Sequence, residues 1–208
     1  MAAYKYQLVS TSNMKLEKDG IVSINQPPIK SCPSAGECKA YCYACVGQQA
    51  MGNAKAFRLR AFELFKTDPK KFEEIAAYEI HRSGRRIIRW HDSGDIMNLS
   101  YLKMMASIAN RYPEIQFYTY TKSIRIILKF GWGNLPANLK LIQSYGGKDD
   151  HLIDTKKPFA RIFLDKESIP KGFTDCSNSD YEAATSAKKI AIVVHGHRKK
   201  NFKPSGVS

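Results

Sequence analysis

Four of the chain's five cysteines crowd into residues 31–45, spaced Cys32-x5-Cys38-x3-Cys42-x2-Cys45. Thiols packed this closely on one segment form a disulfide, bind a zinc ion or carry an iron–sulfur cluster. An odd cysteine count suits a disulfide framework poorly. The opening MAAYKYQLVSTSN has no apolar signal-type stretch, so a reducing, cytoplasmic setting is expected, where thiol clusters are more often metal sites. Structural zinc sites grip the ion with two separated pairs of ligands. Here one x2 pair stands alone, with His195 and His197 only one residue apart, so zinc is the weaker alternative. A cluster takes one thiolate per iron, so a single loop with unequal spacings can supply its ligands. Cys32, Cys38, Cys42 and Cys45 are therefore the candidate metal ligands of a 4Fe-4S cluster, with Cys176 as another candidate for the fourth position.

A second set of polar residues recurs at one kind of place, the end of an apolar run. His91, Asp92, Ser93, Gly94 and Asp95 follow RIIRW, Thr121, Lys122 and Ser123 follow IQFYTY, and Ser144, Gly146 and Gly147 close LKLIQSYGG. His195 follows KIAIVV. His91 suits general acid or base work, because an imidazole titrates near neutrality; a buried strand-end histidine is the plainer alternative. Asp92 and Asp95 suit an ammonium partner, or else turn and cap duties. Lys122 suits a carboxylate or phosphate. Gly146 and Gly147 let backbone amides approach an anion, although a glycine pair is more often a turn. Neither a G-x-S-x-G elbow nor a phosphate-binding G-x4-G-K-[ST] loop is present.

The elements that must position these residues follow from periodicity. Phe57, Ala61, Leu64 and Phe65 recur at helical spacing from Asn53, and Asp68-Pro69 opens a second helix with Phe72, Ile75, Ala76 and Ile80 on one face and Gly84 at its end. Strands are expected at 86–91, 115–120, 139–144, 159–164 and 189–194, with helices over 99–112 and 124–130 and a further strand at IVSIN. Residues 165–187 give no clear pattern. Strands alternating with helices imply βα units and a mostly parallel sheet, whose carboxyl ends hold ligands. The expected fold is a single α/β domain over 1–208, a partial or irregular βα barrel. Residues 1–52 would form an N-terminal segment with the cysteine loop, 53–197 the βα core and 198–208 a basic tail.

The net charge is +14, from 33 Lys and Arg against 19 Asp and Glu, which favours nucleic acid or a nucleotide as a partner. No apolar run approaches the ~18 residues of a membrane span. A soluble, cytoplasmic protein without a membrane partner is expected.

Cys38-x3-Cys42-x2-Cys45 also has the spacing of the radical S-adenosylmethionine motif, in which three cysteines leave one iron open for that cofactor. Its usual aromatic residue before the last cysteine is displaced by one, to Tyr43. Enzymes of that class carry a Gly-Gly-Glu-like segment for the methionine amine, and Asp92 and Asp95 stand where it would. Taken together, CPSAGECKAYCYA, RWHDSGDI, FYTYTKS, LIQSYGG and IVVHGH resemble the phage "gene product 88" domain family. The resemblance implies a phage-encoded protein of the host cytoplasm with a radical-enzyme-like cysteine loop. It places the family pattern on Cys32, Cys38 and Cys42, with Cys45 outside it, and on His91–Asp95, Thr121–Ser123, Ser144, Gly146, Gly147 and His195. The expectation is an iron–sulfur enzyme that uses S-adenosylmethionine, with His91, Asp92, Asp95 and Lys122 as catalytic residues. Ser93, Gly94, Ser144, Gly146, Gly147 and His195 would bind the cofactor. The alternative is a non-catalytic protein that binds nucleic acid or a host protein and keeps a structural metal.

Overall fold

A computed structural model describes residues 7–194 and 199–202. The chain opens with a short strand β1 (Val9–Ser10), the helical turn α1 (Met14–Lys18) and strand β2 (Ile21–Ile24). The cysteine segment follows, holding one short helix, α2 (Cys38–Tyr41), and single 3-10 turns at Tyr43–Cys45 and Gly47–Ala50. Two long helices come next, α3 (Gly52–Thr67) and α4 (Pro69–Ser83). Then strand and helix alternate through β3 (Ile87–Trp90), α5 (Leu99–Arg111), β4 (Gln116–Thr121), α6 (Ile124–Phe130) and β5 (Leu139–Ser144). The last third supplies β6 (Phe159–Phe163), β7 (Thr174–Asp175), α7 (Tyr181–Ala184) and β8 (Lys189–Val193). No described helix is long and apolar enough to cross a membrane.

The helix boundaries have local causes. Asp68 accepts a hydrogen bond from the Lys71 amide at 2.9 Å, Pro69 occupies the first helical position, and Gly84 at φ 64° ends α4. Asn98 caps α5 by accepting from the Tyr101 amide at 2.9 Å. The cap role is thus Asn98's, which leaves Asp95 free for other contacts.

The eight strands of the described residues join one sheet in the order β1-β2-β3-β4-β5-β6-β8-β7. β1 runs antiparallel to β2, and every other pairing is parallel. From β2 to β6 the strands are laid down in sequence order, with no reversal of winding. Among the described residues β1 and β7 do not pair with each other, so the sheet is open. Register puts Val22, Ile88 and Phe117 side by side, and Ile24, Trp90 and Thr119 one step on. That face packs under α3, α4, α5 and α6, against Phe65, Phe72, Ile75, Leu102, Met105 and Ile127. Burying a side chain such as Phe72, fully enclosed here, contributes roughly 1.5–3 kcal/mol. The opposite face carries Ile21, Tyr118, Ile142 and Ile190, packed on Leu16 of α1 and on Ala183 and Ala184 of α7.

Because β2 to β8 run parallel, their carboxyl ends lie on one side, and the cysteine segment leaves β2 on that side. The elements that sequence periodicity missed are the short ones: α1, α2, β7 and α7. Each is too brief for a period to register.

Candidate functional site

The strand ends open into one cavity of about 700 Å³. Cys32, Cys38 and Cys42 line it from the cysteine segment, Asp92–Asp95, Lys122 and Ser144 from the strand ends, and Arg89 and Tyr120 from the sheet face. The residues singled out in the sequence from separate stretches are thereby brought together. Cys45 is not among the lining residues; it closes the 3-10 turn beside Cys42. Cys176 lies buried in the second core, with its amide on the Ala191 carbonyl at 2.9 Å. His195 and His197 fall outside the described residues.

All five cysteines are free thiols. Burial pushes the Cys32 thiol up to about 12, with the Asp95 carboxylate adding to the rise. Burial lifts Cys42 to about 11, with Cys45 contributing. Cys38 is raised by burial too, but the nearby Lys122 ammonium pulls it back. Without a bound cation these thiols are protonated at neutral pH, and a metal that takes them as thiolates must displace their protons. Among the described residues no three His, Cys, Asp or Glu side chains form a group arranged to hold a metal ion.

The HDSGD loop is a rigid wall. His91 sits at φ 65° and gives its amide to the Ile24 carbonyl at 2.9 Å. Its Nδ1 bonds Thr119 Oγ1 at 3.1 Å and its Nε2 bonds Tyr101 Oη at 3.2 Å. Burial, helped by the Arg89 charge, pushes its pKa down to about 3. Both ring nitrogens are committed and the ring stays neutral, so His91 is a buried strut rather than the acid or base its type suggests. The Asp92 and Ser93 amides both reach Asn25 Oδ1, at 2.8 and 3.2 Å, and Ser93 Oγ donates to the Gln26 carbonyl at 2.9 Å. Gly94 has φ 94°, and a Cβ there would lie 2.6 Å from Gln26 Cβ. Ser93 and Gly94 therefore fasten the loop to the segment after β2, and neither is placed mainly to hold a cofactor.

Asp95 accepts from Thr121 Oγ1 at 2.5 Å, its Oδ2 takes the Lys122 amide at 2.9 Å, and Oδ1 also takes the Ile96 amide at 2.7 Å. Burial raises its pKa although these donors oppose the rise. It ties the end of β4 to the loop after β3. Asp92 is more available: its Oδ1 accepts from Tyr43 Oη at 2.7 Å, and it remains a cavity-lining carboxylate.

Lys122 Nζ donates to Ser144 Oγ at 2.7 Å, and among the described residues no carboxylate pairs with it. It is a cation facing the cavity beside Cys38. Gly146 and Gly147 do something the sequence did not foretell. Their amides are taken by the Asp150 carboxylate at 2.7 and 2.8 Å, so they are not available to an anionic cofactor. The pair instead clasps the cysteine loop. The Cys38 amide donates to the Gly146 carbonyl at 3.1 Å, the Lys148 amide to the Ser34 carbonyl at 3.0 Å, and Ala35 bridges Gly147. A Cβ on Gly146 would stand 2.5 Å from Tyr41 Oη, and one on Gly36 would stand 2.7 Å from the Gly147 backbone.

The cavity floor holds a network that sequence reasoning missed. Asp180 is fully buried; it accepts from Arg89 Nη1 at 2.6 Å and Tyr118 Oη at 2.8 Å, and pairs with Lys15 Nζ at 2.7 Å. Arg89 and Lys15 hold its pKa below the usual carboxylate range despite burial. Arg89 alternating with apolar neighbours in a strand was the available signal. Asp180 and Lys15 lie in stretches with no pattern to draw attention to them.

Searches of curated proteins and of solved structures find no match. A model of the Gene product 88 family matches residues 6–206, a span that runs through the cysteine loop, the HDSGD loop and the strands bearing Lys122 and Ser144. The chain belongs to the Gene product 88 family.

Proposed function

We propose that the protein is a phage-encoded iron–sulfur protein of radical S-adenosylmethionine type, its 4Fe-4S cluster held by Cys32, Cys38 and Cys42. One observation carries this reading: three thiols from one loop line a single cavity at the carboxyl ends of sequentially ordered parallel strands. The sequential order of these parallel strands supports the reading, since ligands of βα folds bind at the carboxyl ends of their strands. The donor set fits. Zinc needs its ligands converged on one point, whereas a cluster accepts thiolates spread over separate irons. Three thiolates leave one iron for an outside ligand.

When bound, a cluster of this kind supplies single electrons for reductive cleavage of a sulfonium. The chain's own residues do the rest. Lys122 sets a positive charge beside Cys38, which favours its thiolate. Asp92, held by Tyr43, offers a carboxylate to an ammonium group within the cavity. Asp95, Ser93 and His91 fix the wall that carries Asp92. Cys45 keeps no ligand role in this arrangement.

Anaerobic purification with iron, sulfide and zinc measured per chain tests the reading. About four irons are expected, falling sharply in Cys32→Ala, Cys38→Ala and Cys42→Ala and staying near wild type in Cys45→Ala. Zinc at one per chain with no iron would overturn it and leave the cysteine loop as a structural clasp. Nucleic-acid binding is the second reading, favoured by the charge of +14.

A further inference from the structure

The floor of the cavity contains two hydrogen-bond donors that have no acceptor among the described residues. Arg89 spends Nη1 on Asp180, but its buried Nε has no partner among the described residues. The buried Tyr120 hydroxyl has none either. The two groups are neighbours, since the guanidinium carbon lies 5.0 Å from the centre of the Tyr120 ring. They come from adjacent parallel strands, β3 and β4, and both line the cavity on the sheet face away from the long helices.

A buried donor without an acceptor is rare and costly in a folded protein. Two side by side on the wall of a large cavity mark a place where an acceptor belongs. The geometry also limits which acceptor. Asp180 holds Nη1 of the guanidinium, which leaves Nε of a permanently charged fork without an acceptor on a residue that lines the cavity. A planar or tetrahedral oxyanion matches that fork. Lys15, whose ammonium lies on Asp180 at 2.7 Å, and Lys166 add positive charge to the same lining. The thiols line the cavity from the cysteine segment, so this donor pair comes from other elements than the expected cluster ligands.

We propose that the sheet-face end of the cavity binds an oxyanion, the carboxylate or phosphate of a small-molecule substrate, through Arg89 Nε–H and the Tyr120 hydroxyl. The inference rests on the reading of the cavity as a reaction chamber and names the group by which its substrate is held. It does not depend on which metal the cysteines take.

Calorimetric titration of the anaerobically purified full chain with inorganic phosphate, and separately with acetate, tests it. Saturable binding of one probe is expected, phosphate marking a phosphoester substrate and acetate a carboxylate. Tyr120→Phe removes only a hydroxyl that has no partner among the described residues, so its thermal midpoint should equal or exceed wild type while its affinity falls about tenfold. Arg89→Lys keeps a cation for Asp180 but withdraws the Nε–H, and should lose binding further. Absence of saturable binding of either probe to wild type overturns the proposal. So does wild-type affinity in both variants. Iron per chain, measured on the same preparations, separates the two readings. Anion binding without iron sinks the cluster and keeps this site, and iron without anion binding does the reverse.

Discussion

His91 shows how far surroundings decide what a residue does. Its type and its place at a strand end suggest acid–base chemistry, yet its positive φ interrupts the strand's alternation and turns the ring toward Thr119 and Tyr101. No sequence pattern announces a left-handed backbone at a residue other than glycine. The consequence is measurable. The folded protein holds His91 neutral down to about 3, whereas in the unfolded chain an imidazole protonates near 6.5. Between those values the unfolded state binds the extra proton, so stability is fully present above about pH 6.5 and is lost as pH falls. The loss is roughly 1.4 kcal/mol per pH unit in that window, or about 2.7 kcal/mol at pH ~4.5. Asp180, whose pKa is lowered, adds its own loss only further down, while the raised pKa of Asp95 acts in the opposite sense. His91→Gln isolates the ring. Urea midpoints for the variant should change less than wild type's between pH 7 and 4.5, and parallel losses in the two proteins would remove His91 as the cause.

At the scale of elements, the long periodic segments were readable and the short ones were not. α3, α4 and α5 repeat an apolar face often enough to be seen, and the strand runs are bounded by turn residues. α1, β7 and α7 are held by tertiary contacts rather than by their own propensity, with Ala183, Ala184 and Leu16 buried against the sheet. The cysteine and YGG loops were visible as separate motifs, but their mutual clasp was not, because a pairing across so many residues leaves no local trace. Asp150 is the hinge pin of that clasp. Its carboxylate holds the Gly146 and Gly147 amides, and the Gly146 carbonyl in turn holds the Cys38 amide. Asp150→Ala should therefore loosen residues 145–149 and 34–38 together while the buried strands stay protected. Hydrogen exchange would show faster exchange in both loops at once. Exchange confined to residues 145–149 would mean that the cysteine loop is held by other contacts.

For the whole molecule, the formal charge understates how basic the surface is. Several of the 19 acidic residues are internal: Asp92, Asp95, Asp149 and Asp180 are all buried. Of the 33 basic residues, Arg58 is buried and Arg89 is largely enclosed with Asp180, whereas Arg125, the partner of Asp149, stays largely exposed. The negative charge removed from the surface thus exceeds the positive, and what faces solvent is more cationic than +14 suggests. A polyanion approaching this surface displaces its own counterions, and the gain shrinks as salt rises. Four phosphate contacts would weaken affinity about a hundredfold between about 50 and 200 mM salt. Titrating a short DNA duplex and a single strand across that range should give linear plots of log affinity against log salt, with slopes that count the contacts. The slope should survive Cys38→Ala, since the surface charge does not depend on the cysteine loop. Absence of binding at about 50 mM would remove nucleic acid from consideration and leave small anions in the cavity as the molecule's charged ligands.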